Sequence, residues 1–220
     1  MPSRPLIIAI DGPSGAGKGT VARTLAQRLG YTHVDTGAMY RAVAWMAGHN
    51  GIDLSDEDAV TTIADAAEFE LGREVRVDGH DITRAIRTPE MDAAAGIVAR
   101  HPNVRESLVR RQREYAAKGG LVMEGRDIGT VVFPKADVKV FLDASADERA
   151  RRRATDPAHT SSQAGAVDQV ATALAERDRL DSTRKTSPLA MASDAIRIDT
   201  TGMSVDEVVG AVLKLVEQRQ

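Results

Sequence analysis

Leu6-Ile7-Ile8-Ala9-Ile10, then Asp11, then Gly12-Pro13-Ser14-Gly15-Ala16-Gly17-Lys18-Gly19-Thr20 is the stretch on which this chain turns. An apolar run of strand length gives way to a glycine, four residues and Gly17-Lys18, at the point where a helix should begin. Small residues let consecutive backbone N–H groups turn inward around an anion. The helix that follows adds unpaired amides and a partial positive charge. Lys18 can then reach the outer phosphates of a nucleotide. The hydroxyl that usually follows the lysine comes one place late, at Thr20 after Gly19, so either Thr20 contacts a metal or water holds magnesium there. The bland alternative is a glycine-rich strand-to-helix turn that binds nothing, but such a turn has no need of a lysine at this spacing.

Composition narrows the setting. A chain of 220 residues buries a sizeable core and is most simply one domain. A net charge of −3 argues against general affinity for nucleic acid or an anionic membrane, so any basic site must be local. Aromatic residues, at 3%, are too few for a base-stacking platform. There is no cysteine, hence no disulfide and no thiolate metal site. The first apolar run is too short for a signal peptide or a membrane span, and a cytoplasmic enzyme is expected.

Working outward, Val21, Leu25, Ala26 and Leu29 recur at helical spacing up to Gly30, and Tyr31 to Asp35 reads as a second strand. Arg41 then falls on the first turns of a helix at the sheet's carboxyl edge, where open α/β sheets bind ligands. Ser55 is expected to cap the next helix. Phe69, Leu71, Val75 and Val77 alternate with polar residues, as in a small hairpin, and Pro89 starts a helix running to about Arg100. This block interrupts the strand–helix alternation and reads as an insertion that binds the acceptor. The helix from Pro102 is strongly basic, with Arg110, Arg111 and Arg113 expected on a solvated face.

Leu121-Val122-Met123 reads as a buried strand ending in Glu124-Gly125-Arg126-Asp127. Charges at such a place are costly unless paired or bound to a ligand. Val138 to Leu142 gives a fourth strand, and Asp143-Ala144-Ser145 leads into a helix with Arg149, Arg152 and Arg153. Residues 155–167 lack apolar periodicity and read as a mobile, phosphate-covering loop. In the helix from Asp168, Arg177, Asp181 and Arg184 share one face at i, i+4 and i+7. Ala195 to Asp199 is a fifth strand, and Ser204 caps a closing helix. Five strands alternating with helices define an α/β fold with a parallel sheet flanked by helices.

Seven stretches, IDGPSGAGKGT, VDTGAMYR, IRTPEM, VRESLVRRQR, EGRDIGTVVFPKADVKVFLDAS, ERDRLDSTR and SPL, together resemble the bacterial cytidylate kinases, a family of nucleoside monophosphate kinases. The resemblance implies a single P-loop kinase domain. Its core would comprise about residues 1–68, 99–150 and 180–220, with a nucleotide-binding insertion near 69–98 and a lid near 149–167. It implies that ATP is held by the loop from Gly12 to Thr20, and that Lys18, Arg126 and Arg184 are catalytic. CMP would be bound by Thr36, Tyr40, Arg41, Arg105, Arg126, Asp127, Arg177, Asp181 and Arg184. Of these, Arg105 and Asp127 read the base, Arg177 and Asp181 meet the ribose, and Arg41, Arg126 and Arg184 surround the phosphate. Arg149, Arg152 and Arg153 belong to the lid. Gly-Lys-Gly-Thr is the loop's usual form in nucleoside monophosphate kinases. Gly96 stands where the family commonly has a serine that hydrogen-bonds the base, so base discrimination is expected to survive on Arg105 and Asp127 but in softer form.

The implied reaction is transfer of the γ-phosphoryl group of ATP to CMP or dCMP, with Mg²⁺ held by Thr20 and, through water, by Glu124. The expected partners are those nucleotides, with no nucleic acid and no membrane, in a monomeric chain. Two other readings stay open: a kinase for a different small acceptor such as UMP, AMP or shikimate, and an ATP-binding switch that phosphorylates no metabolite.

Overall fold

In the computed structural model, which describes residues 5–156 and 167–219, the opening apolar run lies at the centre of a parallel sheet. Strand β1 (Ile7–Asp11) pairs with β6 (Leu121–Gly125) on one side and β7 (Val138–Asp143) on the other. Strand β2 (Thr32–Asp35) lies outside β6, and β8 (Ile196–Asp199) outside β7. The order is β2-β6-β1-β7-β8, the five strands expected from sequence. A central parallel strand is covered on both faces, which is why β1 reads as a continuous apolar run rather than an alternation. Ile8 and Ile10 meet α1 (Lys18–Leu29) and α8 (Val205–Glu217) on one face. Ala9 faces the other way, toward Val109 of α5 (Pro102–Glu114) and Ile128.

The helix starts follow their capping residues. Asp35 accepts from the Ala38 amide to open α2 (Thr36–His49), Ser145 caps α6 (Ala146–Ala154), and Ser204 forms a capping box with Glu207 on α8. At α3 (Glu57–Ala66) the cap is Asp56, not Ser55 as the sequence suggests. The Asp56 carboxylate reaches the Ala59 amide at 3.0 Å, while the Ser55 amide donates to Asp53.

The expected hairpin, β3 (Phe69–Leu71) and β4 (Val75–Val77), gains a third short strand, β5 (His80–Asp81). Val75, Val77, Ile82 and Ile86 pack on Ala38 and Ala42 of α2, and α4 (Pro89–Val98) joins a cluster with Met39 and Val43 of the same helix. Helix α2 therefore carries the small sheet on one flank and α4 on another.

Of the basic residues of α5, Arg110 and Arg113 are exposed as expected and Arg111 is half-buried, but all three also hold neighbouring segments. Arg111 donates to the carbonyls of Ala67 (2.7 Å) and Asp65, with its guanidinium 5.6 Å over the Phe69 ring. Arg113 donates to Val132 and Val131 at 3.0 and 2.8 Å, and Arg110 pairs with Asp65 at 2.9 Å. The last carbonyls of a helix lack intrahelical donors, and Arg111 and Arg113 supply them at the ends of α3 and of the turn Ile128–Val132. Helix α7 spans Val167–Thr183, so Arg184 lies one residue beyond it and not on the helical face predicted for it. The predicted mobile loop lies largely at 157–166, outside the described residues. Among the described residues no helix is long and apolar enough to cross a membrane.

Candidate active site

The chain leaves β1 through three glycines at positive φ, Gly12 (148°), Gly15 (79°) and Gly17 (87°), a backbone region costly for other residues. At Gly12 the constraint is also steric, since a Cβ would stand 2.0 Å from the Leu142 carbonyl oxygen. Gly17 precedes α1 with no side-chain cap, which leaves the first amides of the helix without a side-chain acceptor. Lys18 is buried under the loop and donates to the Pro13 carbonyl at 2.6 Å. Burial, then the nearby Arg126 charge, pushes its ammonium well below the usual lysine range.

Gly19 has its own reason to be small. A Cβ there would lie 3.2 Å from Glu124 Oε1, so the glycine admits the Glu124 carboxylate beside the helix start. Glu124 Oε1 is 3.1 Å from His33 Nε2, and the Glu124 carbonyl accepts from the Thr36 hydroxyl at 2.7 Å. Thr20 is exposed along the same cleft. Among the described residues no three His, Cys, Asp or Glu side chains converge as a metal cage.

Beyond the loop lies a network of alternating charges. Arg105 and Asp127, both buried, form an ion pair, with the Arg105 guanidinium 5.5 Å over the Tyr40 ring. Arg184 stands 3.7 Å from Asp127 and 3.8 Å from Asp181, and Arg126 Nε donates to Asp181 Oδ2 at 3.0 Å. Burial alone would raise the Asp181 carboxyl, but the neighbouring Arg126, Arg177 and Arg184 hold it below its ordinary value. Thus Arg105, Arg126, Asp127, Asp181 and Arg184 fall in one network of ion pairs, while Arg177 pairs with a carboxylate the sequence reading missed.

That carboxylate is Asp92, in the first turn of α4. Its oxygens lie 2.9 Å from Arg177, 3.2 Å from Arg41 and 3.4 Å from Arg153. Burial opposes ionisation, yet the Arg177, Arg41 and Arg153 charges outweigh it and hold the acid well below the usual carboxylate range. Two other carboxylates were missed. Asp178 pairs with Arg149 and accepts from the Ser14 amide at 3.0 Å. Asp11 accepts from the Ile128 and Gly129 amides at 2.8 and 2.7 Å, which fixes a single π-helical turn, Ile128–Val132, right after Asp127. Only the position of Asp11 at a strand's carboxyl end hinted at its place; nothing local marks Asp92 or Asp178.

The three arginines that the resemblance assigns to a lid divide. Arg149 and Arg153 reach the phosphate loop, donating to the Ser14 carbonyl (3.0 Å) and hydroxyl (3.1 Å). Arg152 is tied to Glu148 at 2.7 Å and Thr200 at 2.8 Å, beside the loop's Ala16 carbonyl. The glycine loop from Ser14 onward, Lys18, Glu124 and the site's arginines other than Arg149 line one cleft of about 1670 Å³. Within it the buried donors Arg41 Nη1 and Arg184 Nη2 have no hydrogen-bond acceptor among the described residues. A buried guanidinium N–H left without an acceptor is costly, and an anionic ligand would relieve it.

A five-stranded parallel sheet whose first strand feeds a glycine loop and helix defines a P-loop kinase fold. Shikimate kinase from Acinetobacter baumannii shares it, with a TM-score of 0.53 and 15% identity over 98% of this chain and 95% of that one. The Cytidylate kinase family profile matches residues 8–218, and the chain belongs to the cytidylate kinase family. It is 49% identical to a cytidylate kinase of Solibacter usitatus (strain Ellin6076), over 97% of this chain and 93% of that protein. It is also 48% identical to a bifunctional pantoate ligase/cytidylate kinase of Prochlorococcus marinus (strain MIT 9303), matching 97% of this chain but spanning only 45% of that protein.

Proposed function

We propose that this protein transfers the γ-phosphoryl group of ATP to the 5′-phosphate of CMP or dCMP, giving ADP and CDP or dCDP. The observation that carries the reading is the single cleft that has the loop and Lys18 at one end and acceptor-starved buried arginines at the other. Family membership supplies the choice of acceptor.

Both substrates are anions, so the difficulty lies in bringing phosphates together and stabilising charge on the moving group. The loop amides and Lys18 hold the donor's phosphates, while Arg41, Arg126 and Arg184 neutralise the acceptor's. These groups are already placed by ion pairs, so little reorganisation accompanies reaction. A nucleotide phosphate is ionised near neutral pH and needs no general base. Arg105 and Asp127 offer a donor and an acceptor to the cytosine edge, and Tyr40 lies under Arg105 to hold that pair in place. Arg177 and Asp181 serve the ribose. Arg149, Arg152 and Arg153 bring the lid's charge onto the loop.

The oxygen groups of Thr20 and Glu124 suit Mg²⁺ that arrives with the nucleotide and keeps most of its water, since no cage of three such side chains forms among the described residues. When bound, the ion neutralises charge on the donor's phosphates.

Steady-state release of ADP from Mg-ATP, with CMP, dCMP, UMP and AMP as acceptors, tests the reading. Turnover should favour CMP and dCMP. Equal turnover of UMP or AMP, or ATP consumption indifferent to CMP, would overturn it.

A further inference from the structure

Asp92 stands at the meeting point of three elements that are far apart in sequence. It lies in the first turn of α4, after the Thr88 cap and Pro89, where the helix's positive end favours a carboxylate. Arg41 comes to it from α2, Arg153 from α6 and Arg177 from α7. Asp92 Oδ1 serves both Arg177 and Arg41, and Oδ2 faces Arg153. Two carboxylate oxygens cannot satisfy so many donors, and Arg41 Nη1 stays buried without a hydrogen-bond acceptor among the described residues.

A phosphate monoester has three terminal oxygens and a charge between about −1.5 and −2 near neutral pH. It suits the same guanidiniums better than a carboxylate does, in both charge and number of acceptors. Building on the proposed function, which places Arg41 at the acceptor's phosphate, we infer that Asp92 competes with that phosphate for Arg41, Arg153 and Arg177. Asp92 thereby sets the affinity for the acceptor nucleotide. The phosphate takes Arg41 from Asp92, and the energy of that exchange is subtracted from binding. Asp92 belongs to α4 and Arg41 to α2, so the same exchange loosens the tie between those two helices.

The test is Asp92→Asn, which keeps the shape and removes the charge. The expected result is a KM for CMP about three- to tenfold lower than wild type, with kcat not raised, and a Kd for CMP by calorimetry that falls in step. Thermal melts provide a readout independent of activity. Without ligand the variant should melt below wild type, since Arg153 and Arg177 lose the carboxylate they share and Arg41 keeps only Asp35 among the described residues, at 3.7 Å. Inorganic phosphate should then raise its Tm more than it raises that of wild type. Asp92→Ser, smaller and also neutral, gives the same comparisons should Asp92→Asn not fold. An unchanged or higher KM for CMP, or equal protection of variant and wild type by phosphate, overturns the competition. Wild-type protein inactive on CMP would instead sink the proposed function, and the phosphate melts would still decide the role of Asp92.

Discussion

Arg126 Nε donates to Asp181 Oδ2 across 3.0 Å and so joins the end of β6 to helix α7. The pair keeps the guanidinium aimed into the cleft before any phosphate is present. Arg126→Ala should therefore lower turnover by about a hundredfold or more, as should Lys18→Ala, the usual scale for removing one preorganised donor to developing charge. Single-turnover kinetics on folded variants checks this. Turnover within a few fold of wild type would remove that residue from the reaction.

Asp127 has two partners, Arg105 and Arg184, so its truncation would strand buried charge. Replacing one member of a buried pair by alanine costs about 3–5 kcal/mol of stability. Asp127→Asn keeps the volume and is the better probe of base reading. It should reduce the preference for CMP over UMP, measured as the ratio of kcat/KM values, while leaving the KM for ATP within about twofold. An unchanged ratio would show that Asp127 does not read the base.

Gly96 lines the cleft, and a Cβ added there meets nothing within 4 Å. Gly96→Ser should be accommodated without strain and restore a hydroxyl toward the base. One neutral hydrogen bond is worth about 0.5–1.5 kcal/mol, so the KM for CMP should fall by roughly two- to tenfold. A higher KM would mean that the space is needed for the nucleotide itself.

Asp11 gives a pH signature. Burial, opposed by the Gly129 and Ile128 amides, pushes its carboxyl up from 3.8 to about 6. The folded protein thus holds this proton more tightly than the unfolded chain. Between those two values the group's contribution to stability falls as pH rises, by about 3 kcal/mol in all at about 1.4 kcal/mol per unit. Urea unfolding from about pH 4 to about pH 7 should show Asp11→Asn gaining on wild type by that order. A difference that stays flat across the range would show that Asp11 is not raised.

Much of the fold was legible because its signals are local. The apolar run of β1, the glycines and lysine of the loop, and the cap at Ser204 each act within a few residues. Short-range rules also have limits. Ser55 lost its capping role to Asp56 because a carboxylate one residue later reached the amide. Arg111 looks like a free surface charge until the carbonyl of Ala67 comes within reach, and Arg113, though exposed, is held by the carbonyls of Val131 and Val132.

The phosphate loop, by itself, was determined in the sequence: positive φ at Gly12, Gly15 and Gly17 is a local demand, and Lys18 follows at a set spacing. Even the displaced hydroxyl at Thr20 was visible there, but its reason was not. Only the tertiary structure puts Glu124, from a strand a hundred residues away, against Gly19. Only it gathers Arg41, Arg153 and Arg177 around Asp92, and brings Arg126 to Asp181. Ion pairs between distant segments leave no periodicity or spacing in a chain. They arise where burial removes water and each charge must take the partner that the packing of the helices brings to it.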